Sequence, residues 1–298
     1  MTDKFLCIYH GGCDDGFGAA WAVRHALGDK VEIVAGQYGR DPPDVAGRDV
    51  ILVDFSYKRP VLEEMAKTAR SILILDHHKT AQEDLSVFPR VIDRLDWESQ
   101  ATMGVGAMVL FDMDRSGAGI AWDFFHTKNG HTEARPKFID YLEDRDLWRK
   151  SLPGSDEFTI ALRSYPMDFA TWDGLVRGGP TALVEEGTSI QRYYRLRVEE
   201  FKRGAYLSEL AGVPCMAVNA PYFAASEVAG ELSAMDGAQF GLCYFEGSNG
   251  DYFYSLRSRG DFDVSAIAKQ FGGGGHKNAA GFKSPAPAHR LAANTPTT

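Results

Sequence analysis

Residues 71–78 read Ser-Ile-Leu-Ile-Leu-Asp-His-His, and this stretch decides the fold. Its first five residues are mostly branched and apolar without alternation, which is typical of a strand covered on both faces in a parallel sheet. Asp76, His77 and His78 follow directly. Ligands of open parallel sheets sit at the carboxyl ends of the strands, so these side chains are predicted to line a crevice. A polar turn after a buried strand is the alternative, and Asp-His-His alone favours neither.

Polar residues follow other predicted strands in the same way. The strands are Phe5–Tyr9, Val31–Ala35, Val50–Val53 and the stretch from Ser71, and the helices between them are Phe17–Leu27 and Arg59–Ala69. Asp15 and Asp54 both lie just past a strand end. Helix capping explains Asp14 and Asp15 equally well when they are taken alone. Several ligand-type residues placed this way converge on one rim, as metal ligands must.

The middle of the chain carries a row of acids on a predicted helix. Val91-Ile92-Asp93 is interpreted as an edge strand, and a helix is expected from Ser116-Gly-Ala-Gly to Phe125. The next helix, Arg135–Trp148, contains Asp140, Glu143, Asp144 and Asp146. Such a row is usually a solvated face. Because Leu142, Leu147 and Trp148 lie among the acids, part of this helix is buried and one acid can point inward.

The second half of the chain predicts a long helix and a smaller domain. From Pro180 to about Leu210, apolar residues recur at three- and four-residue steps, as in an α-helix. The strands beyond it are Pro214–Asn219, Gly241–Glu246 and Tyr252–Arg257, and the helices are Ala224–Met235 and Val264–Phe271. We therefore predict an α/β protein with a parallel-sheet N-terminal domain (1–180), a connecting helix (181–210), a smaller α/β C-terminal domain (211–284) and a disordered tail (285–298).

The composition narrows the classes of partner. The chain of 298 residues has 44% hydrophobic and 24% charged residues and a net charge of −9. An acidic chain is a poor candidate for wrapping duplex DNA, but local positive groups can still hold a small phosphorylated ligand. Its four cysteines show neither paired metal spacing nor disulfide density. We find no apolar run of about 18 residues and no signal peptide, so a cytoplasmic protein without a membrane partner is expected.

A glycine run stands near the end of the second domain. Gly272-Gly273-Gly274-Gly275 precedes His276, Lys277 and Asn278. Glycines let a backbone approach a ligand closely and offer N–H groups to phosphate oxygens. A flexible hinge is the alternative, although a hinge does not require the polar residues that follow.

In this order, the motifs resemble those of the DHH phosphoesterase superfamily, in the subgroup with a DHH-associated C-terminal domain. The matching motifs are His10-Gly-Gly-Cys-Asp-Asp-Gly16, Asp54, Asp76-His77-His78, Asp144 within Glu-Asp-Arg-Asp-Leu-Trp, and the glycine run ending in His276. The resemblance covers the chain from about His10 to Phe282. The family includes RecJ exonucleases, oligoribonucleases, cyclic dinucleotide phosphodiesterases and family II pyrophosphatases.

The resemblance implies two divalent cations in the N-terminal domain, usually Mn2+, with Mg2+ as the alternative. His10 and Asp54 would hold the first cation and Asp15 the second, with Asp54 bridging them. His77 and Asp144 would complete the second site. Family members commonly carry an aspartate where this chain has Cys13. Ligation of the first cation by Cys13 and packing of Cys13 beneath the turn both stay open.

The same resemblance implies roles around the phosphate. Asp76 would orient the neighbouring histidines, and His78 would face the substrate. The substrate-binding residues of the second domain would be Arg257, Gly273, Gly274, Gly275 and His276.

The implied activity is hydrolysis of phosphodiester bonds in short oligonucleotides or nucleotides, of the exonuclease or oligoribonuclease type, by a hydroxide held between two metals. The partner would be a short single-stranded nucleic acid or a small phosphorylated ligand, and a homodimer is left open. The alternatives are a phosphohydrolase of polyphosphate or of nucleotide bisphosphates, and a catalytically impaired nucleotide-binding protein with Cys13 as the lesion.

Overall fold

The structure, a computed structural model, describes residues 5–128 and 131–291. The chain divides into two compact units, Met1–Gln191 and Arg192–Thr298. Within the described ranges, we find no helix with the length and apolar character needed to cross a membrane.

The first unit is built on a parallel sheet. Its strands are β1 (Phe5–His10), β2 (Val31–Gly36), β3 (Asp49–Val53), β4 (Ser71–Asp76), β5 (Ala107–Phe111) and the short pair β6 (Thr127–Lys128) and β7 (His131–Thr132). Its helices are α1 (Asp14–Leu27), α2 (Arg59–Met65), α3 (Lys79–Asp84), α4 (Arg94–Thr102), α5 (Gly117–His126), α6 (Lys137–Asp146), α7 (Ser155–Leu162), α8 (Phe169–Gly178) and the first part of α9 (Pro180–Lys202). The five main strands lie in the order β2-β1-β3-β4-β5, and every neighbouring pair is parallel.

The parallel sheet is covered on both faces. Residues of β4 are buried along the whole strand. Leu73 and Leu75 face a core formed with α1, α5 and α6, while Ile72 and Ile74 face a second core that includes Leu62 of α2. The predicted two-sided burial and the parallel α/β fold are therefore confirmed.

One predicted strand is wrong. Residues 91–93 do not form a strand, and the edge of the sheet is β5 instead. Next to them, Arg90 makes only an isolated bridge to Val109. Ile92 is 81% exposed, so its apolar side chain does not mark a buried element.

The second unit is a mixed sheet with two helices. After α9 come β8 (Tyr206–Leu210), β9 (Val213–Asn219), α10 (Tyr222–Leu232), β10 (Phe240–Glu246), β11 (Tyr252–Arg257), α11 (Val264–Gln270), β12 (Gly274–His276), β13 (Ala279–Ser284) and β14 (Arg290–Leu291). Seven strands lie in the order β12-β13-β11-β10-β9-β8-β14. The strand β14 pairs with β8 inside the segment for which the sequence predicts a disordered tail. Residues 292–298 of that segment lie outside the described residues.

Gly187 gives a test of how α9 packs within the first unit. A Cβ atom there would lie 1.9 Å from the Glu157 carbonyl oxygen of α7. We expect Gly187→Ala to lower the free energy of unfolding by about 1–3 kcal/mol, because alanine forces α9 away from α7. Gly178→Ala is the matched control, since a Cβ there has nothing within 4 Å. Urea unfolding should show a stability loss in the first variant and none in the second; equal midpoints would contradict this packing.

Candidate metal centre

The polar residues of the rim follow three neighbouring strands of the parallel sheet. β1 ends at His10, β3 is followed by Asp54, and β4 ends at Asp76 and leads into His77 and His78. Because β1, β3 and β4 are adjacent and parallel, their carboxyl ends meet at one edge. The strand order thus brings together residues that lie far apart in the sequence.

Asp54 is the centre of this cluster. Its side chain is 2% exposed, and its Oδ1 atom lies 3.0 Å from Nε2 of His77. Its Oδ2 atom lies 3.4 Å from Nδ1 of His10. The backbone of Asp54 has φ +53, a left-handed conformation that costs a non-glycine residue free energy. The Asp54 N–H donates to the Leu75 carbonyl at 3.0 Å and so ties this strained residue to β4.

Asp15 is held by the start of α5. Its two carboxylate oxygens accept hydrogen bonds from the N–H groups of Gly117 at 2.6 Å and Ala118 at 3.1 Å. The positive end of the helix dipole favours a carboxylate at this place. A Cβ on Gly117 would lie 2.4 Å from Cβ of Asp54. Only glycine therefore lets α5 approach close enough to hold Asp15 beside Asp54.

Glu143 of α6 holds the same helix end. Its Oε2 atom accepts from the Ser116 N–H at 3.0 Å, one residue before the amides that bind Asp15. Arg135 and Arg149 donate to its carboxylate at 3.3 and 3.1 Å. Glu143 thus fixes the turn that positions Asp15. The sequence shows it only as one acid in a helical row, so this supporting role could not be predicted.

Of the two acids at the end of α6, the structure brings Asp146 to the cluster. Its Oδ2 atom lies 3.5 Å from Nε2 of His77. Asp144 instead accepts from the Ser151 N–H at 2.8 Å and the Leu152 N–H at 3.3 Å, so its carboxylate caps the following turn. The resemblance-based placement of Asp144 in the second metal site is not supported by this geometry.

The geometry of a helix explains the difference. Residues two positions apart point in nearly opposite directions, so only one of these two acids can face the rim. Asp146 continues the apolar face of Ile139 and Leu142 at three- and four-residue steps, and both of those side chains are buried. This periodicity is the sequence signal that identifies Asp146.

Asp76 organises the loop that carries the histidines. Its Oδ1 atom accepts from the His77 N–H at 2.7 Å and the His78 N–H at 3.2 Å, and it lies 2.7 Å from Nδ1 of His78. These contacts set the orientation of the His78 ring. Asp76 itself is fully buried.

The charges of the cluster are unbalanced. Burial would raise the pKa of Asp54, but the neighbouring imidazoles of His10, His77 and His78 outweigh this effect and hold that pKa well below its usual range. Burial would lower the pKa of His77, but Asp54, Asp146 and Asp15 hold it well above its usual range.

Burial raises the pKa of Asp15 well above its usual range, and the carboxylates of Asp146 and Asp54 raise it further. Desolvation of its carboxyl group also raises the pKa of Asp146, although the nearby His77 opposes this shift. Asp15 and Asp54 are buried, and the exposed Asp146 adds a third carboxylate next to His77. A cation would be stabilised where these acids meet.

The donor set suits divalent cations. Two groups of potential ligands share Asp54: His10, Asp54 and His78 form one, and Asp15, Asp54 and His77 form the other. Within each group, the ligand atoms lie within 4.8 Å of one another. The buried Oδ2 atom of Asp54 accepts no hydrogen bond within the described residues. Carboxylate and imidazole ligands without a paired thiolate fit Mn2+ or Mg2+.

Cys13 lies beside these groups and belongs to neither, as far as the described residues show. It is the residue before α1. Burial raises the pKa of its thiol well above the usual range, and Asp54, Asp146 and Asp15 raise it further. A protonated thiol is a poor metal ligand, so ligation by Cys13 stays a prediction.

The predicted substrate residues of the second unit lie at one end of its sheet. Arg257 of β11 pairs with Ala279 of β13, and Ala279 also pairs with His276 of β12. Because residues directly opposite each other project to the same face, Arg257 and His276 share a face two strands apart. The Arg257 side chain donates to Ser226 Oγ at 3.1 Å.

The second half of the glycine run forms a strand rather than an open loop. Gly274 and Gly275 belong to β12 and pair with Gly281 and Ala280 of β13. A Cβ on Gly273 would lie 2.1 Å from the Gly281 carbonyl oxygen, and Gly275 has φ +137. Close strand packing therefore explains these glycines, and their binding of substrate stays a prediction.

Comparison with known proteins identifies the family of the second unit. Residues 216–294 match the DHHA1 domain family, which covers most of the second unit. The Asp76-His77-His78 motif stands at the rim of the first unit. The second unit of the chain therefore carries a DHHA1 domain.

Known proteins are similar to this chain in sequence or in fold. It is 30% identical over 303 residues to uncharacterized protein R106 of Acanthamoeba polyphaga mimivirus, an alignment that covers 93% of this chain and 66% of the viral protein. A solved DHH domain, described as a member of the s1p family of ribosomal proteins, shares 13% identity with a TM-score of 0.54 over 95% of this chain and 83% of that one. This likeness supports the fold. RecJ of Thermus thermophilus, solved with Mn2+, is 14% identical with a TM-score of 0.45 over 95% of this chain and 50% of RecJ.

Substitutions of Asp144 and Asp146 in α6 are expected to affect different properties, namely stability and metal binding. We expect Asp146→Ala to weaken Mn2+ binding by about 10–100-fold or more, because the loss of a side chain that only supports a ligand already has an effect of that size. Stability should not fall. Asp144→Ala should keep Mn2+ affinity but lower the free energy of unfolding by about 1–3 kcal/mol, because the Ser151 and Leu152 amides lose their acceptor. Mn2+ titration calorimetry and thermal unfolding check both. The reverse pattern would return Asp144 to the metal site.

Proposed function

We propose that this protein is a member of the DHH phosphoesterase superfamily and a divalent-cation-dependent phosphodiesterase, with Mn2+ as its cation, that hydrolyses short single-stranded oligonucleotides. The observation that carries the proposal is the pair of ligand groups sharing the buried carboxylate of Asp54. Shared carboxylates of this kind suit two cations placed close together, as in phosphodiester hydrolysis. When bound, such ions activate water and neutralise charge on the phosphate.

The chain's own residues would hold these ions in a fixed geometry. His10 and Asp54 are assigned to one cation, and Asp15, Asp54, His77 and Asp146 to the other. Asp15 is anchored by two backbone amides and Asp54 by its backbone bond to β4. Fixed ligands of this kind need no reorganisation when charge develops on the reacting phosphate.

His78 is assigned to the phosphate. Its side chain is 15% exposed, whereas the His77 side chain is 1% exposed, so His78 is the histidine that substrate can reach. The Asp76 carboxylate raises the pKa of His78 against the lowering effect of burial. A protonated imidazole donates a hydrogen bond to a phosphate oxygen and stabilises its negative charge.

The second unit is assigned to substrate binding. Arg257 and His276 place a guanidinium and an imidazole on one face of a sheet. Both groups bind phosphate oxygens. A protein that grips an end of the substrate releases mononucleotides one at a time, which is the exonuclease type of activity proposed here.

The activity test uses an RNA of about five residues labelled at one end. With Mn2+, we expect a ladder of products and accumulation of nucleoside monophosphate. Asp54→Asn should reduce the rate by at least about 100-fold, since both ligand groups lose their shared carboxylate. Asparagine tolerates a left-handed backbone, so this substitution keeps the local fold.

Asp49→Asn is the matched control. Asp49 lies at the other end of β3 and pairs with Arg70, so its loss should leave turnover near the wild-type rate. Equal loss in both variants would show a general structural effect. No cleavage of any oligonucleotide by the wild type, with release of phosphate from polyphosphate or from a nucleotide bisphosphate, would contradict the proposed substrate.

A further inference from the structure

A cavity lies beside the metal centre in the first unit. It measures about 250 Å³ and is formed by the end of β2, the loop that follows it and Tyr57 after β3. The residues that give it its chemistry are Gln37, Arg40, Asp41, Pro42, Pro43 and Tyr57. No role in the proposed hydrolysis has been assigned to any of them.

The cavity is joined to the cluster by a row of aromatic rings. The Tyr38 ring, on the same loop, packs edge-on against the His10 ring with centroids 5.3 Å apart. The ring centroids of Tyr38 and Phe55 lie 4.9 Å apart, and those of Phe55 and Tyr57, which is in the cavity wall, also lie 4.9 Å apart. Tyr38 is 55% exposed. This row of packed rings connects His10 of the cluster to Tyr57 of the cavity wall, and the exposed Tyr38 ring lies between them.

Backbone contacts fix the cavity next to the cluster. His10 pairs with Gly36 at the end of β2, and the Gly11 N–H donates to the Gly36 carbonyl at 2.9 Å. The loop that lines the cavity begins at the next residue, Gln37. Its position relative to His10 is thus set by the sheet.

The side chains of the lining suit a flat aromatic ring that carries hydrogen-bonding groups at its edge. Pro42, Pro43 and Tyr57 supply apolar surface. Gln37 offers a donor and an acceptor, Arg40 offers donors, and Asp41 offers acceptors. Among the described residues, no hydrogen bond or ion pair engages the Gln37 or Arg40 side chain, so both can serve a ligand. Pockets for drug-sized molecules span about 300–1,000 Å³, which makes this cavity suitable for one ring system and too small for a dinucleotide.

We propose that this cavity binds a nucleobase of the substrate, from the nucleotide next to the phosphate held at the metal centre. This inference rests on the proposed function and adds a determinant of substrate class to it. It predicts that the enzyme distinguishes a nucleotide that carries a base from an abasic one, and that Gln37 and Arg40 are responsible for the distinction.

The test compares an intact dinucleotide with two abasic dinucleotides. One of these lacks the base at the first position, and the other lacks it at the second. For one position, we expect the wild type to show a KM at least about fivefold higher for the abasic substrate, the lower end of what stacking of a base contributes. The Gln37→Ala/Arg40→Ala double variant should show nearly equal KM values for the two substrates, with kcat and Mn2+ affinity unchanged.

Arg48→Ala is the matched control. It removes the same charge from the same loop, but Arg48 pairs with Glu32 at 2.7 Å and does not line the cavity. It should keep the wild-type preference for the base. The inference is overturned if the wild type shows no preference at either position, or if the double variant keeps it.

A binding measurement separates this inference from the proposed function. Calorimetric titration with adenosine monophosphate in the presence of Mn2+ needs no turnover. If the wild type cleaves no oligonucleotide, weaker binding in the double variant than in Arg48→Ala still supports a base-binding cavity, and equal binding in the two refutes it.

Discussion

The buried carboxylate of Asp54 is the constraint on which the rest of the first unit depends. It stands between the His10 and His77 rings and has a left-handed backbone. A non-glycine residue keeps such a strained backbone conformation only where the surrounding structure holds it in place. The parallel strands on either side, the bond to Leu75 and the glycine at the start of α5 provide that support. The fold thus maintains a concentration of negative charge that would be unfavourable without a cation.

The acids around Asp54 are held in place by residues that lie farther from the site. The first turn of α5 gives its amides to Asp15, and Glu143 in turn holds that turn through Ser116. Glu143 is balanced by two arginines. Such outer partners set the direction of ligands that would otherwise rotate. The helices α5 and α6 therefore serve the site through their packing as well as through Asp146.

The sequence predicted the parts of the structure that depend on local pattern. Unbroken apolar runs identified β1, β3 and β4, and the polar residues after them identified the rim. The choice between Asp144 and Asp146 depends on which face of α6 packs against α1 and α5. The periodicity of Ile139 and Leu142 indicates this face, and a motif match does not. The roles of Glu143 and of the cavity near Tyr38 depend on contacts between residues distant in sequence. The pairing of Gly274 and Gly275 with β13 gives these glycines a structural role that the sequence did not show, and their binding of substrate stays a prediction.

The number of Mn2+ ions bound by each chain tests the account most directly. Equilibrium dialysis followed by elemental analysis should find two Mn2+ per wild-type chain. In Asp54→Asn, which keeps the backbone conformation, neither ion should stay bound at the concentration that saturates the wild type, while circular dichroism stays unchanged. A wild-type chain that binds no Mn2+, or an Asp54→Asn chain that still binds two, would contradict the central role of this carboxylate.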